Sequence, residues 1–254
     1  TGARQLVSRL PLGMRLWSLA EWMKVSLGGT ILPRAFWSQL GFTYVGPIDG
    51  HDEAELERAL ALVRETYHRP TLIHVITTKG KGYEPAEDDC ITFHGIPPKD
   101  HSRSDAPTYS QVFGRTLVQL FRENPRVVAI TAAMPDGTGL NQVAREFPGR
   151  VFDVGICEQH AVTFAAGLAS QGYVPVIAIY STFLQRAFDQ VIHDVCIQNL
   201  PVVFALDRSG IVGDDGQTHQ GSFDFSYLLP IPNLVVSAPK DENELQHLLF
   251  TAIN

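Results

Sequence analysis

Four short stretches carry the side chains best suited to chemistry. They are Thr131-Ala-Ala-Met134, Gly155-Ile-Cys-Glu158, Tyr180-Ser-Thr-Phe183 and Asp207-Arg208. Together they offer a carboxylate, a phenol, an aromatic plate and a guanidinium. Glu158 follows an apolar run, and in a partly buried setting such a carboxyl group can share or transfer a proton. The same glutamate would also suit the first turn of a helix, where the dipole favours it. Arg208 presents a planar fork that matches a phosphate, or a strand-end carboxylate. Asp215 and His219 lie just beyond it in Gly213-Asp-Asp-Gly-Gln-Thr-His219, which is polar and turn-rich and reads as a surface loop. Lys79 opens Lys79-Gly-Lys-Gly82 after another apolar run, where backbone and lysine can approach an anion. His94 precedes a Pro- and Ser-rich segment.

The elements that must position these groups follow from periodicity. Asp52 can cap a helix over about 53–67, and Thr71 to Thr77 reads as a strand. Residues 95–107 have the composition of a linker. Beyond it, helices at about 109–122, 140–147, 159–170 and 184–198 alternate with strands at 127–131, 151–154, 174–180 and 202–207. A last strand at 234–237 leads to a helix from Asp241. Such alternation predicts an α/β fold, a parallel sheet flanked by helices on both faces. Parallel sheets bind ligands beyond the carboxyl ends of their strands. All four stretches lie there, so one rim can gather them.

Composition excludes several classes. The chain has 254 residues, 44% hydrophobic and 19% charged, ample for a core without staples. A net charge of −7 argues against a nucleic-acid surface. Three scattered cysteines form no zinc spacing and fit a reducing cytoplasm. No run of about 18 apolar residues reads as a membrane span. The first 25 residues mix apolar side chains with Arg15, Glu21 and Lys24, more like a helical connector than a targeting peptide. With no initiator methionine, the chain reads as a fragment. Gly137-Thr-Gly139 lacks the third glycine of a dinucleotide fingerprint and reads as a turn.

The run Gly155-Ile-Cys-Glu-Gln-His-Ala-Val162 resembles the pyrimidine-domain motif of the transketolase-like thiamine-diphosphate enzymes. Three further runs narrow the likeness: Tyr180-Ser-Thr-Phe-Leu-Gln-Arg-Ala-Phe-Asp-Gln-Val191, Asp207 to His219, and Gly46-Pro-Ile-Asp-Gly-His-Asp52. They are similar to the synthase branch that joins pyruvate to D-glyceraldehyde 3-phosphate, releasing carbon dioxide and giving 1-deoxy-D-xylulose 5-phosphate. That product opens non-mevalonate isoprenoid synthesis and feeds thiamine synthesis. Cys157 and Cys90 depart from the branch's usual residues.

The resemblance implies a thiamine-diphosphate-binding fold, with residues 1–100 ending a diphosphate-binding domain, 101–107 linking, and 108–254 forming most of an aminopyrimidine-binding domain. It implies thiamine diphosphate and Mg2+ as cofactors, with the metal ligands outside this chain. Glu158 would hydrogen-bond the pyrimidine ring, Phe183 would stack on it, Arg186 would brace it, Met134 would line its pocket, and Lys79 would lie near the cofactor. His94 and His219 would handle protons. Tyr180, Arg208, Asp215 and His219 would bind the acceptor. His51 would fix its loop, and His160 would be a structural neighbour. A cytoplasmic homodimer with its active site between the two domains is implied. Another transketolase-like transferase and a non-catalytic pyrimidine module remain alternatives.

Overall fold

The computed structural model describes residues 34–254 except 67, 96–105 and 214. The expected connector within residues 1–25, and most of the expected linker, lie outside the described residues. The chain divides into two compact units, residues 1–101 and 102–254.

In the first unit, strand β1 (Thr43–Asp49) pairs in parallel with β2 (Thr71–Ile76), from Thr43 opposite Thr71 to Asp49 opposite Ile76. The sequence reading missed β1. Its pairing shifts register between Val45 and Ile48, at Gly46-Pro47. Between the strands runs helix α1 (Glu53–Thr66), whose start is held as expected: Asp52 Oδ1 accepts from the Glu55 amide at 2.9 Å. Helix α2 (Glu84–Asp88) follows β2. His51 fastens the loop at the end of β1, because its Nε2 accepts from the Thr78 amide at 2.8 Å.

The second unit is a four-stranded, all-parallel sheet in the order β4-β3-β5-β6. The strands are β3 (Val127–Thr131), β4 (Val151–Asp153), β5 (Val174–Tyr180) and β6 (Val203–Asp207). Side chains alternate across β5. Val176 and Ala178 join a core with Phe113, Leu117 and Phe121 of helix α3 (Tyr109–Glu123), Leu140 and Val143 of α4 (Leu140–Glu146), and residues of the carboxyl-terminal helix (Glu242–Ile253). Ile177 and Ile179 face the other way, onto Ala161, Val162 and Ala165 of α5 (Glu158–Ser170) and onto Leu184, Val191 and Val195. This period of two is what a sheet covered on both faces requires. Helix α3 opens with a capping box between Thr108 and Gln111.

Two expectations need correction. Leu234 to Ser237 is not a strand. Leu234 and Val236 pack on the core while Val235 is exposed, but no ladder forms; Pro232 and Pro239 flank the segment, and Asn233 turns with φ +63°. The single helix expected over 184–198 begins earlier, at Ser181, and changes winding: α at Ser181–Leu184, 3-10 at Gln185–Ala187, α at Phe188–Gln190, π at Val191–Cys196. Such changes re-aim side chains along one axis, and the 3-10 step carries Arg186.

Candidate active site

From β3 the chain passes to β4 on one side and later to β5 on the other. The crevice beyond the ends of β3 and β5 is therefore the switch point where open parallel sheets bind ligands. The two strand ends meet there, since the Tyr180 amide lies 3.4 Å from the Met134 sulfur. Just after β3, Ala133 has φ +62°, a costly conformation for a residue with a Cβ. It is held by Asp153 Oδ1 at the end of β4, which accepts from the Ala133 amide at 2.8 Å and the Gly155 amide at 2.9 Å.

Gly155, at φ +69°, turns the chain from β4 toward α5. Glu158 thereby becomes the first residue of that helix, and only 2% of its surface is exposed. A carboxylate so buried needs a partner. Arg186 supplies it, with Nη1 2.5 Å from Glu158 Oε1. The same guanidinium lies 5.2 Å from the Phe183 ring centre. Glu158, Arg186 and Phe183 thus form one group. His160, by contrast, is exposed and stacks on Phe164.

Phe183 connects this group to a second one. Its ring stacks on Tyr180 with centres 5.9 Å apart, and the His219 ring stands edge-on to it at 5.3 Å. Arg208 lies over the other aromatic, 3.8 Å from the Tyr180 ring centre. Its Nη1 donates to Asp207 Oδ1 at 2.7 Å and to the Gly137 carbonyl at 3.0 Å, and its Nε donates to Asp215. Asp207 also accepts from Ser110 at 2.5 Å. Arg208 has φ +59°, so the backbone is strained where the guanidinium is aimed. Burial works to lower the Arg208 pKa, but Asp215, Tyr180 and Asp207 outweigh it and hold the pKa above the ordinary value. Burial raises the Tyr180 pKa, Arg208 opposes that, and Asp215, Asp207 and Asp136 add to it; Tyr180 is a neutral phenol at physiological pH.

Sequence reasoning missed the parts that hold this group still. Asp224 is buried, and its Oδ2 accepts from Ser181 at 2.6 Å and Ser209 at 2.7 Å, the neighbours of Tyr180 and Arg208. The Gln220 amide braces the His219 loop, bonding the Val212 amide (2.8 Å), the Val212 carbonyl (2.6 Å) and the Gly216 carbonyl (2.9 Å). Neither residue belongs to a spacing pattern, so no sequence signal marks them. Asp224→Ala is expected to cost about 1–3 kcal/mol, the penalty for stranding buried polar groups, and Asp224→Asn, which keeps one acceptor oxygen, less. Chemical unfolding of the full-length protein checks this; equal stability of Asp224→Ala and wild type would contradict it.

In the first unit Lys79 Nζ lies 2.8 Å from His94 Nδ1, so these two candidates form their own pair. In the second, a polar cleft of about 890 Å3 lies beside Arg208 rather than over Glu158, and Arg115, Asp136, Asp207 and Asp215 help line it. The Glu158 group suits a flat heteroaromatic ring: Phe183 can meet its face and Glu158 one of its nitrogens. Among the described residues no group of three His, Cys, Asp or Glu side chains could hold a metal ion.

Residues 105–254 match the family model of the transketolase pyrimidine-binding domain. The chain belongs to that family. Residues 2–77 match the model for 1-deoxy-D-xylulose-5-phosphate synthase. Curated relatives agree with the branch read from the motifs. The 1-deoxy-D-xylulose-5-phosphate synthase of Dehalococcoides mccartyi strain 195 is 58% identical over 100% of this chain and 39% of its own length. That of Pelotomaculum thermopropionicum is 57% identical over 98% of this chain and 40% of its own. The chain thus spans about two fifths of these relatives. Among solved structures, a split-gene transketolase described as an inactive β4 tetramer is 30% identical, with a TM-score of 0.51 over 57% of this chain and 47% of its own. Campylobacter jejuni transketolase, 15% identical, shares the fold, with a TM-score of 0.55 over 91% of this chain and 47% of its own.

Proposed function

We propose that the chain supplies the aminopyrimidine-binding part of a 1-deoxy-D-xylulose-5-phosphate synthase, a thiamine-diphosphate-dependent transferase. The donor and acceptor are pyruvate and D-glyceraldehyde 3-phosphate. The observation that carries this reading is the buried Glu158, bonded to Arg186 beside the Phe183 plate and joined through Tyr180 to Arg208. Residues 1–100 belong to the diphosphate-binding domain, 101–107 link, and 108–254 form most of the pyrimidine domain. The diphosphate and Mg2+ are held by residues of the longer protein. That protein works as a cytoplasmic homodimer; no helix among the described residues is long and apolar enough to cross a membrane.

When bound, thiamine diphosphate supplies the electron sink for the carbon left by decarboxylation. The rest falls to this chain. Glu158 holds a proton at a pyrimidine ring nitrogen, and Arg186 fixes the carboxyl oxygen it contacts. Phe183 stacks on the ring, and Met134 lines the same pocket. Arg208, charged and backed by Asp215, takes the acceptor phosphate. Tyr180 offers a neutral hydroxyl, and His219, edge-on to Phe183, moves protons at the acceptor carbonyl. In the first unit Lys79 lies near the cofactor and His94, in contact with Lys79, handles protons.

The test is an assay of the full-length protein with pyruvate, D-glyceraldehyde 3-phosphate, thiamine diphosphate and Mg2+. Carbon dioxide and 1-deoxy-D-xylulose 5-phosphate are expected in equal amounts. The 254 residues alone are expected not to turn over, lacking the diphosphate and metal ligands. A different ketose product, or turnover by the isolated chain, would refute the assignment or its domain bounds.

A further inference from the structure

The Gly137-Thr138-Gly139 turn has no part in the function above, yet its two glycines are there for different reasons. Gly139 has φ +81°, and a Cβ on it would lie 2.2 Å from the Ser110 carbonyl oxygen, so both its backbone and its surroundings call for glycine. Gly137 is not in the left-handed region, so φ does not call for glycine there. What calls for glycine there is space. A Cβ at 137 would lie 1.7 Å from the Tyr180 hydroxyl oxygen and 2.7 Å from Tyr180 Cζ. On the same residue, the carbonyl accepts from Arg208 Nη1 at 3.0 Å.

The turn itself is braced from within. Thr138 is buried and its hydroxyl donates to the Met134 carbonyl at 2.7 Å, while Asn141 Nδ2 donates to Asp136 at 2.8 Å. An added methyl group is therefore expected to push on the phenol and on the guanidinium resting on it.

We propose that Gly137 is a positioning residue for the acceptor: its bare Cα seats the Tyr180 phenol while its carbonyl holds Arg208, so that the two side chains stay stacked. The proposal rests on the assignment of Tyr180 and Arg208 to the acceptor side. Gly137→Ala in the full-length enzyme is expected to raise the KM for D-glyceraldehyde 3-phosphate about tenfold, the scale of one disturbed hydrogen bond to a charged group. The KM for pyruvate and the thiamine-diphosphate affinity stay near wild type. In a Tyr180→Ala background the same substitution adds nothing, because no phenol remains to be displaced. A full additional loss in that background overturns the proposal. So does a normal acceptor KM in Gly137→Ala when Arg208→Ala, measured beside it, raises that KM. If Arg208→Ala also leaves it unchanged, the acceptor-side reading fails first and takes this inference with it. Should Gly137→Ala not fold, the Gly137→Ala/Tyr180→Ala pair removes the clash and is expected to restore folding; failure of both overturns the proposal.

Discussion

Glu158→Ala in the full-length protein is expected to lower turnover at least about 10²-fold, the lower scale for a positioned proton-transfer group, while the fold survives. Both halves of this expectation come from the geometry. Glu158 is 2% exposed and stands at the head of α5, so no water or neighbouring acid can replace its carboxyl group at a ring nitrogen. Its partner Arg186, however, keeps 51% of its side chain exposed. Losing the carboxylate leaves no buried charge stranded, because Arg186 can turn to water. Hydrogen–deuterium exchange at C2 of bound thiamine diphosphate is the direct readout, with thermal unfolding as the control. Wild-type exchange in Glu158→Ala would remove this residue from the proposed chemistry.

Arg208→Ala is expected to raise the KM for D-glyceraldehyde 3-phosphate about 10–100-fold, from the loss of a hydrogen bond to a charged group worth about 1.5–3 kcal/mol. The upper end is favoured here. Arg208 lies between Asp207 and Asp215, and without it two carboxylates would face the incoming phosphate dianion. Pyruvate carries one negative charge, and its KM should change much less. D-Glyceraldehyde without the phosphate should be almost indifferent to the substitution. Equal losses with both acceptors would mean that Arg208 supports the loop or the cofactor pocket instead.

The sheet was legible from the chain because its strands are short, apolar and separated by helices; β3 and β5 fall at the bounds expected from pattern alone. β1 was not legible, since Gly46-Pro47 interrupts its run. Leu234 to Ser237 misled because its alternation is genuine burial without hydrogen-bonded neighbours, and periodicity reports burial, not pairing. At the site, Glu158, Phe183, Tyr180 and Arg208 stood out by residue type and position after strands, whereas Arg186 was reached only through the family resemblance. The residues that fasten them did not. Asp224 touches Ser181 from 43 positions away and Asp207 touches Ser110 from 97, distances at which a sequence carries no periodic trace. The space filled by Tyr180 at Gly137 is equally silent, because an absent Cβ looks the same in a turn made for φ and in a turn made for room.

The loop carrying Asp215 and His219 closes on itself. Gly210 and Gly221 exchange two backbone hydrogen bonds of 2.8 Å each at its neck, and Gln220 ties Val212 and Gly216 together within. Arg208 and Asp224 sit outside that neck. The loop is thus closed at its base, while Asp215 and His219 reach back from it to Arg208 and Phe183. With its ends pinned to each other, each doubling of its length costs only about 0.6 kcal/mol in closure entropy. A change of length between the two glycines is therefore taken up inside the loop, away from the helix that opens with Glu158.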